Sequence, residues 1–126
     1  MEYLIFWAFM LVMELLIPAC MLCFGWLFMK KPPKNINSVY GYRTPRSMRN
    51  QQTWDFAHAY SGRFWFRAGE YTLAFSLVWM VLLLGRKVST VGYFGLILMV
   101  IQLVPLLAVI FATERALKRE FDDRKR

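Results

Sequence analysis

Three long apolar runs constrain this chain more than any other feature of its sequence. A helix needs about twenty consecutive apolar residues to cross the hydrocarbon core of a bilayer. Hydrophobic residues make up 58% of the 126-residue chain, and a soluble domain of this size would scatter them rather than collect them into runs. We therefore predict an all-α membrane protein of one domain, with three transmembrane helices at about residues 4–28, 64–84 and 91–112.

The polar segment between the first two runs is predicted to form a cytoplasmic cap, at about residues 30–61. Pro32 and Pro33 end the first helix, because proline has no backbone N–H and its ring clashes with the preceding turn. Thr44 followed by Pro45 is typical of a helix N-cap with proline at the first helical position. We expect a second helix to begin near Pro45.

This second helix is too long to lie entirely in lipid. No strong helix breaker follows until Gly85, so the helix has about 40 residues and a length of about 60 Å, twice the thickness of the hydrocarbon core. We predict a kink at Ser61-Gly62 that separates an interfacial helix from the second span. A single straight helix that projects from the membrane is the alternative.

The charge distribution predicts how the protein is oriented. The net charge is +8, and the basic residues concentrate in the cap and in a charged tail at about 113–126, whereas none precedes the first run. Cationic loops of membrane proteins stay in the cytoplasm, which predicts an N-terminus outside and a C-terminus in the cytoplasm. The same charge in a soluble protein would suggest nucleic acid, but next to membrane spans it favours lipid as the partner, with no direct nucleic-acid contact.

Four charged or polar residues are expected inside the membrane or at its edge. Glu14 lies near the middle of the first span, where a carboxylate is costly unless it is protonated or paired, and Gln102 lies at a similar depth in the third span. Glu14 is either a proton or ligand site or a neutral side chain that Gln102 binds to hold two helices together. Arg67 and Glu70 are spaced for a salt bridge at the cytoplasmic edge.

The residue types used in metal sites and catalysis are few. Cys20 and Cys23 lie inside the first run, where two thiols cannot complete a four-ligand metal site, so we predict that they are packing residues. His58 follows Asp55 at a spacing that could orient an imidazole on a helix, but a structural hydrogen bond is the commoner explanation. We expect no cofactor, no metal and no enzymatic activity.

Arginines alternate with aromatic residues between positions 40 and 54. Interfacial anchoring or contact with anionic lipid is one interpretation of this pattern. Another is a folded cap, in which Arg43 binds the free carbonyls at a helix end and Trp54 packs beneath the loop.

The cap and the start of the second span contain a set of unlike residues at fixed spacings: Asn37, Tyr40, Gly41, Tyr42, Arg43, Thr44, Ser47, Met48, Asn50, Thr53, Trp54, Ala57, Gly62 and Gly69. With these residues the sequence resembles the SdpI family of small bacterial membrane proteins, over about residues 30–112. The named member of the family is longer and has additional spans, so this chain is similar to its C-terminal unit alone.

The resemblance implies an immunity protein of the bacterial inner membrane that protects against a secreted, membrane-active toxin peptide. It also implies a signalling role, in which the protein sequesters a cytoplasmic transcriptional repressor. The residues expected to form that binding site are Tyr40, Gly41, Tyr42, Arg43, Thr44, Asn50 and Trp54.

Two other functions stay open on the residues alone. One is a small transporter or channel subunit with a polar path at Glu14 and Gln102, which needs a homo-oligomer because three helices rarely enclose a pore. The other is a membrane enzyme that acts on a lipid headgroup with His58 and Asp55.

Overall fold

The computed structural model describes residues 1–122, which form three long helices and a short helical extension. Helix α1 is Glu2–Lys30, α2 is Gln51–Leu82 and α3 is Val88–Leu117, which continues into a π-helical segment, Lys118–Asp122. The described residues contain no strand, so the predicted all-α class is confirmed. The last part of the predicted tail, residues 123–126, lies outside the described residues.

Two of the helices are suited to a membrane. Helix α1 and the helical segment that begins with α3 are each long and apolar enough to cross a bilayer. Only 22% of the most apolar part of each is buried inside the protein, whereas the core helix of a soluble domain would be mostly buried. Large side chains such as Phe9, Val12 and Phe111 point away from the other helices and leave an apolar surface for lipid. These two helices therefore have the character of membrane spans.

Helix α2 begins at Gln51 rather than near Pro45, and its N-cap is Asn50. The Asn50 side chain accepts a hydrogen bond from the backbone N–H of Thr53, and the Thr53 hydroxyl accepts one from the backbone N–H of Asn50. This reciprocal pair satisfies two N–H groups that a helix N-terminus otherwise leaves free. The sequence-based prediction of the helix start was wrong because a second, equally good capping pair lies further along.

The residues Thr44 and Ser47 form an isolated turn before α2. The N–H of Thr44 donates to Ser47 Oγ at 2.9 Å and the N–H of Ser47 donates to Thr44 Oγ1 at 3.1 Å. The turn closes with a bond from the Met48 N–H to the Thr44 carbonyl and goes no further. Thr44 therefore has the side-chain chemistry of an N-cap, but it begins one turn and not the helix.

Helix α2 is continuous from Gln51 to Leu82, so no break at Ser61-Gly62 divides it into an interfacial helix and a separate span. Gly62 instead permits close approach of α1: a Cβ atom at Gly62 would lie 2.9 Å from the carbonyl oxygen of Gly25. A Cβ atom at Gly25 would lie 2.6 Å from the backbone nitrogen of Phe66. The backbones of α1 and α2 thus touch, as small residues allow in membrane helix pairs.

Gln102 joins all three helices at the middle of the bundle. Pro18 has no N–H, so the carbonyl of Glu14, four residues earlier, lacks its partner within α1. The Nε2 atom of Gln102 donates to that carbonyl at 2.8 Å and to Ser76 Oγ on α2 at 2.8 Å. Gln102 therefore holds the helices together, as one of the two interpretations expected, but through the backbone of Glu14 and not through its carboxyl group.

The backbone contact between α1 and α2 predicts that alanine substitution destabilises the protein at Gly62 but not at Gly92. Gly62→Ala places a methyl group against backbone atoms that cannot move aside, so we expect a loss of about 1–3 kcal/mol in the free energy of unfolding. The matched control is Gly92→Ala, whose Cβ would meet nothing closer than 3.6 Å. This control should be neutral or stabilising by up to about 1 kcal/mol, because alanine favours a helix over glycine.

Unfolding in detergent, followed by circular dichroism, measures both variants against the unaltered protein. Equal stability of the two variants would contradict the backbone contact.

Candidate functional site: the cap

The centre of the cap is a contact between its loop and the first turns of α2. Trp54 is fully buried, and its Nε1–H donates to the carbonyl of Pro33 at 2.7 Å. Gly41 in the loop lies against the Trp54 and His58 rings, and its φ is +121°. A Cβ atom at Gly41 would be 2.6 Å from His58 Nε2 and 3.1 Å from the Trp54 ring. Both the backbone conformation and the lack of space require glycine at this position.

Both ring nitrogens of His58 bond to the backbone, one to the loop and the other to α2 itself. Its Nε2 accepts a hydrogen bond from the backbone N–H of Tyr42 at 2.9 Å, and its Nδ1 lies 2.8 Å from the carbonyl oxygen of Trp54. Since an N–H can only donate and a carbonyl can only accept, Nδ1 carries the proton and the ring is neutral. Burial lowers the pKa of His58, which maintains this neutral state.

Asp55 does not orient the His58 ring, contrary to one interpretation of their spacing. The carboxylate of Asp55 instead accepts a hydrogen bond from Gln51 at 2.8 Å. The favoured interpretation, a structural hydrogen bond for His58, is confirmed by the two backbone contacts of the ring.

The side chain of Tyr42 connects the cap to the end of α3. Its hydroxyl donates to Glu114 Oε2 at 2.7 Å, and the Thr44 hydroxyl donates to the same oxygen at 2.8 Å. Burial and the hydrogen bond to Glu114 raise the pKa of Tyr42, so the hydroxyl remains a donor. Sequence reasoning missed Glu114; the available signal was an acidic residue directly after the third apolar run.

Ion pairs bring the end of the helical extension onto the same surface. Arg46 Nη1 lies 3.0 Å from Asp122 Oδ2, and Arg46 Nε lies 3.7 Å from Glu114 Oε1. Arg49 also pairs with Asp122. These side chains are partly exposed, so each pair stabilises the cap only weakly, and together they position the extension.

The predicted binding residues therefore divide into two groups. Gly41, Tyr42, Thr44 and Trp54 are held inside the cap, and Asn50 is exposed but caps α2. Arg43 and Tyr40 are exposed. Arg43 forms no hydrogen bond or ion pair within residues 1–122, so the interpretation in which it binds helix-end carbonyls is wrong for Arg43.

The predicted intramembrane residues do not all pair as expected. Glu14 is fully buried, and neither of its carboxyl oxygens has a hydrogen-bond partner in the part of the chain that the structure describes. Arg67 and Glu70 are both exposed, and no ion pair joins them among the described residues. Their predicted salt bridge is therefore wrong, since both side chains are exposed and they do not pair.

Cys20 and Cys23 are exposed on α1, so their predicted packing role is also wrong. Within residues 1–122, no group of three or more His, Cys, Asp or Glu side chains could hold a metal ion.

These observations define the class of protein: a helical membrane bundle whose polar cap is hydrogen-bonded to its second helix. Residues 34–113 match the SdpI/YfhL protein family, and the chain belongs to that family. It is 38% identical over 102 residues to the uncharacterized protein YfhL of Bacillus subtilis (strain 168), a match that covers 78% of this chain and 79% of the relative. No solved structure matches the chain.

The burial of neutral His58 predicts a dependence of stability on pH. The native ring resists protonation, whereas in the unfolded chain it binds a proton at about pH 6.5. The contribution to stability is therefore complete above about pH 6.5. It decreases as the pH falls below that value, by up to about 1.4 kcal/mol for each pH unit until the lowered pKa is reached.

Unfolding in detergent between pH 8 and pH 5 measures this slope. His58→Gln is the control, because it lacks a titratable group and should reduce the slope even where it is less stable at pH 8. An unchanged slope in that variant would assign the pH dependence to another group.

Proposed function

We propose that this protein is an immunity and signalling protein that protects the cell against a secreted, membrane-active toxin peptide. Membership of the SdpI/YfhL family is the main support for this role. The cap is the proposed binding surface for a cytoplasmic partner. In the signalling role, this partner is a transcriptional repressor.

The proposed topology has three spans in the bacterial inner membrane, with the N-terminus outside and the C-terminus in the cytoplasm. Helix α2 runs back along most of α1, because Gly62 touches Gly25 near one end and the Trp7 Nε1–H donates to the Met80 carbonyl near the other. If α1 crosses the bilayer, the part of α2 beside it must lie at the same depth. The basic residues of the cap support a cytoplasmic position for that end.

The choice of the cap as the binding surface rests on one observation about Arg43. Its guanidinium group is exposed and without an ion pair in the described chain, while the neighbouring backbone is fixed by the bond from Tyr42 N–H to His58. Because the backbone beside Arg43 is already fixed, only the side chain has to be ordered when it binds, which favours recognition of an acidic partner group.

Replacing Arg43 tests this surface. Arg43→Ala should lower the toxin concentration that expressing cells tolerate by about tenfold or more, because a hydrogen bond to a charged group contributes about 1.5–3 kcal/mol. Arg86→Ala is the matched control: Arg86 is also exposed, but it lies in the loop between α2 and α3, at the opposite end of the bundle.

Growth in the presence of toxin, with the amount of membrane protein measured by immunoblot, gives the result. Trp54→Ala should instead reduce the amount of folded protein, since Trp54 supports the cap from inside. Full protection by Arg43→Ala at normal abundance would remove Arg43 from the site.

A small oligomeric transporter or channel subunit is the second candidate, and Glu14 favours it. A fully buried carboxyl group without a partner in residues 1–122 is costly, and such groups in membranes often belong to proton or ion pathways. Gln102 Oε1 is likewise buried without a partner in the described chain. The three helices pack together around these groups, so a path would require a second copy of the chain.

Proton flux into liposomes tests this candidate. Flux should be reduced at least about tenfold in Glu14→Gln, which keeps the size of the side chain and removes its titration. Glu70→Gln, at an exposed position on α2, is the control and should retain the flux. The absence of flux in the unaltered protein would eliminate a transport role.

We propose no enzymatic role for the cap. A lipid-headgroup enzyme would need a free nitrogen on His58, whereas one nitrogen accepts from Tyr42 and the other faces the Trp54 carbonyl. These contacts support a structural histidine.

A further inference from the structure

A groove lies between the cap and α3. It has a volume of about 430 Å³, and its walls are mainly apolar. The side chains that matter here are Phe28, Trp65, Leu106 and Ile110 on the walls, with Arg43 and Ser61 also lining it. We propose that this groove binds an anionic phospholipid, with the phosphate at Arg43 and the upper part of one acyl chain along the wall.

Ser61 supplies the first independent observation. Its residue is only 1% exposed, and its hydroxyl has no hydrogen-bond partner within the described residues. A helical serine or threonine can satisfy its hydroxyl with the carbonyl four residues earlier, as Thr72 does with Ala68 at 2.7 Å. Ser61 does not, and it lines the groove. A lipid ester carbonyl in the groove would accept the hydrogen bond that the protein leaves unmade.

Charge supplies the second observation. Arg46 and Arg49 pair with acidic groups of α3 and its extension, but Arg43 has no such partner within residues 1–122. Its guanidinium group is therefore free to bind a phosphate with two parallel hydrogen bonds. An anionic headgroup is preferred over a zwitterionic one. The positive charge of a zwitterionic headgroup would lie close to the Arg43 guanidinium group and be repelled by it.

The position of the groove favours lipid over a soluble anion. Leu107 and Ile110 line it and are also exposed on the outer surface of α3. Since α3 belongs to an apolar segment suited to crossing a bilayer, the groove opens towards the hydrocarbon region. A free phosphate would gain nothing from these walls, whereas an acyl chain would bury apolar surface against them.

The proposal goes beyond the immunity role, since it needs neither a toxin nor a cytoplasmic partner. A lipid phosphate at Arg43 would compete for this guanidinium group with the acidic partner group proposed above. Native mass spectrometry of the purified full chain in detergent tests it by titration with phosphatidylglycerol and with phosphatidylcholine of the same acyl chains. We expect phosphatidylglycerol to bind about tenfold more tightly, which corresponds to one charge-assisted contact.

Two substitutions test separately the contact with the lipid headgroup and the contact with the part of the lipid inside the groove. Arg43→Gln should abolish the preference for phosphatidylglycerol, and Ser61→Ala should weaken the binding of both lipids by about fivefold, the value of one neutral hydrogen bond. Ser61→Ala should not unfold the protein, because its hydroxyl makes no bond to the described chain. Arg63→Gln is the control: Arg63 is an exposed cation on α2 that lines a different groove.

Four results would overturn the proposal. Equal binding of the two lipids would remove the role of charge, and equal losses in Arg43→Gln and Arg63→Gln would indicate diffuse attraction. Unchanged binding in Ser61→Ala would place the lipid outside the groove. Competition by glycerol phosphate as effective as that by whole lipid would identify a soluble anion as the occupant.

Discussion

The backbone contact between α1 and α2 is the constraint on which the rest of the structure depends. Gly25 and Gly62 let the two helices approach until backbone atoms touch, and this fixes both the position and the direction of α2. Because α2 continues without a break on either side of Gly62, its first turns project beyond the contact and carry Trp54 and His58 under the cap loop.

Hydrogen bonding distinguishes the structural parts of the protein from the parts to which we assign a function. In the cap, His58 and Trp54 are fully buried, and their ring nitrogens bond to the backbone. Among the described residues, the buried groups that lack a partner include the Glu14 carboxyl and the Ser61 hydroxyl. Buried polar groups are normally paired, so these exceptions are where binding or proton transfer is most reasonably sought.

The fold class and the cap motif could be read from the sequence, whereas the local boundaries could not. Thr44 was expected to cap α2, and the structure places the cap at Asn50, because both sites offer a reciprocal side-chain pair and only the second leads into a helix that packs on α1. Gly62 was assigned to a kink. A glycine in a helix can weaken it or permit close packing, and only the presence of Gly25 opposite it decides between the two.

The sequence by itself determined that this is a helical membrane protein of the SdpI/YfhL family, because apolar runs of this length cannot be buried in so small a soluble domain, and the motif has fixed spacing. The tertiary structure decided the role of each motif residue. Trp54 is a support and Arg43 is an exposed cation, because the loop folds over the first turns of α2, where it covers Trp54 and leaves Arg43 on its outer side. Glu114 is 72 residues from Tyr42, and a contact over that separation exists only once α3 has packed beside the cap.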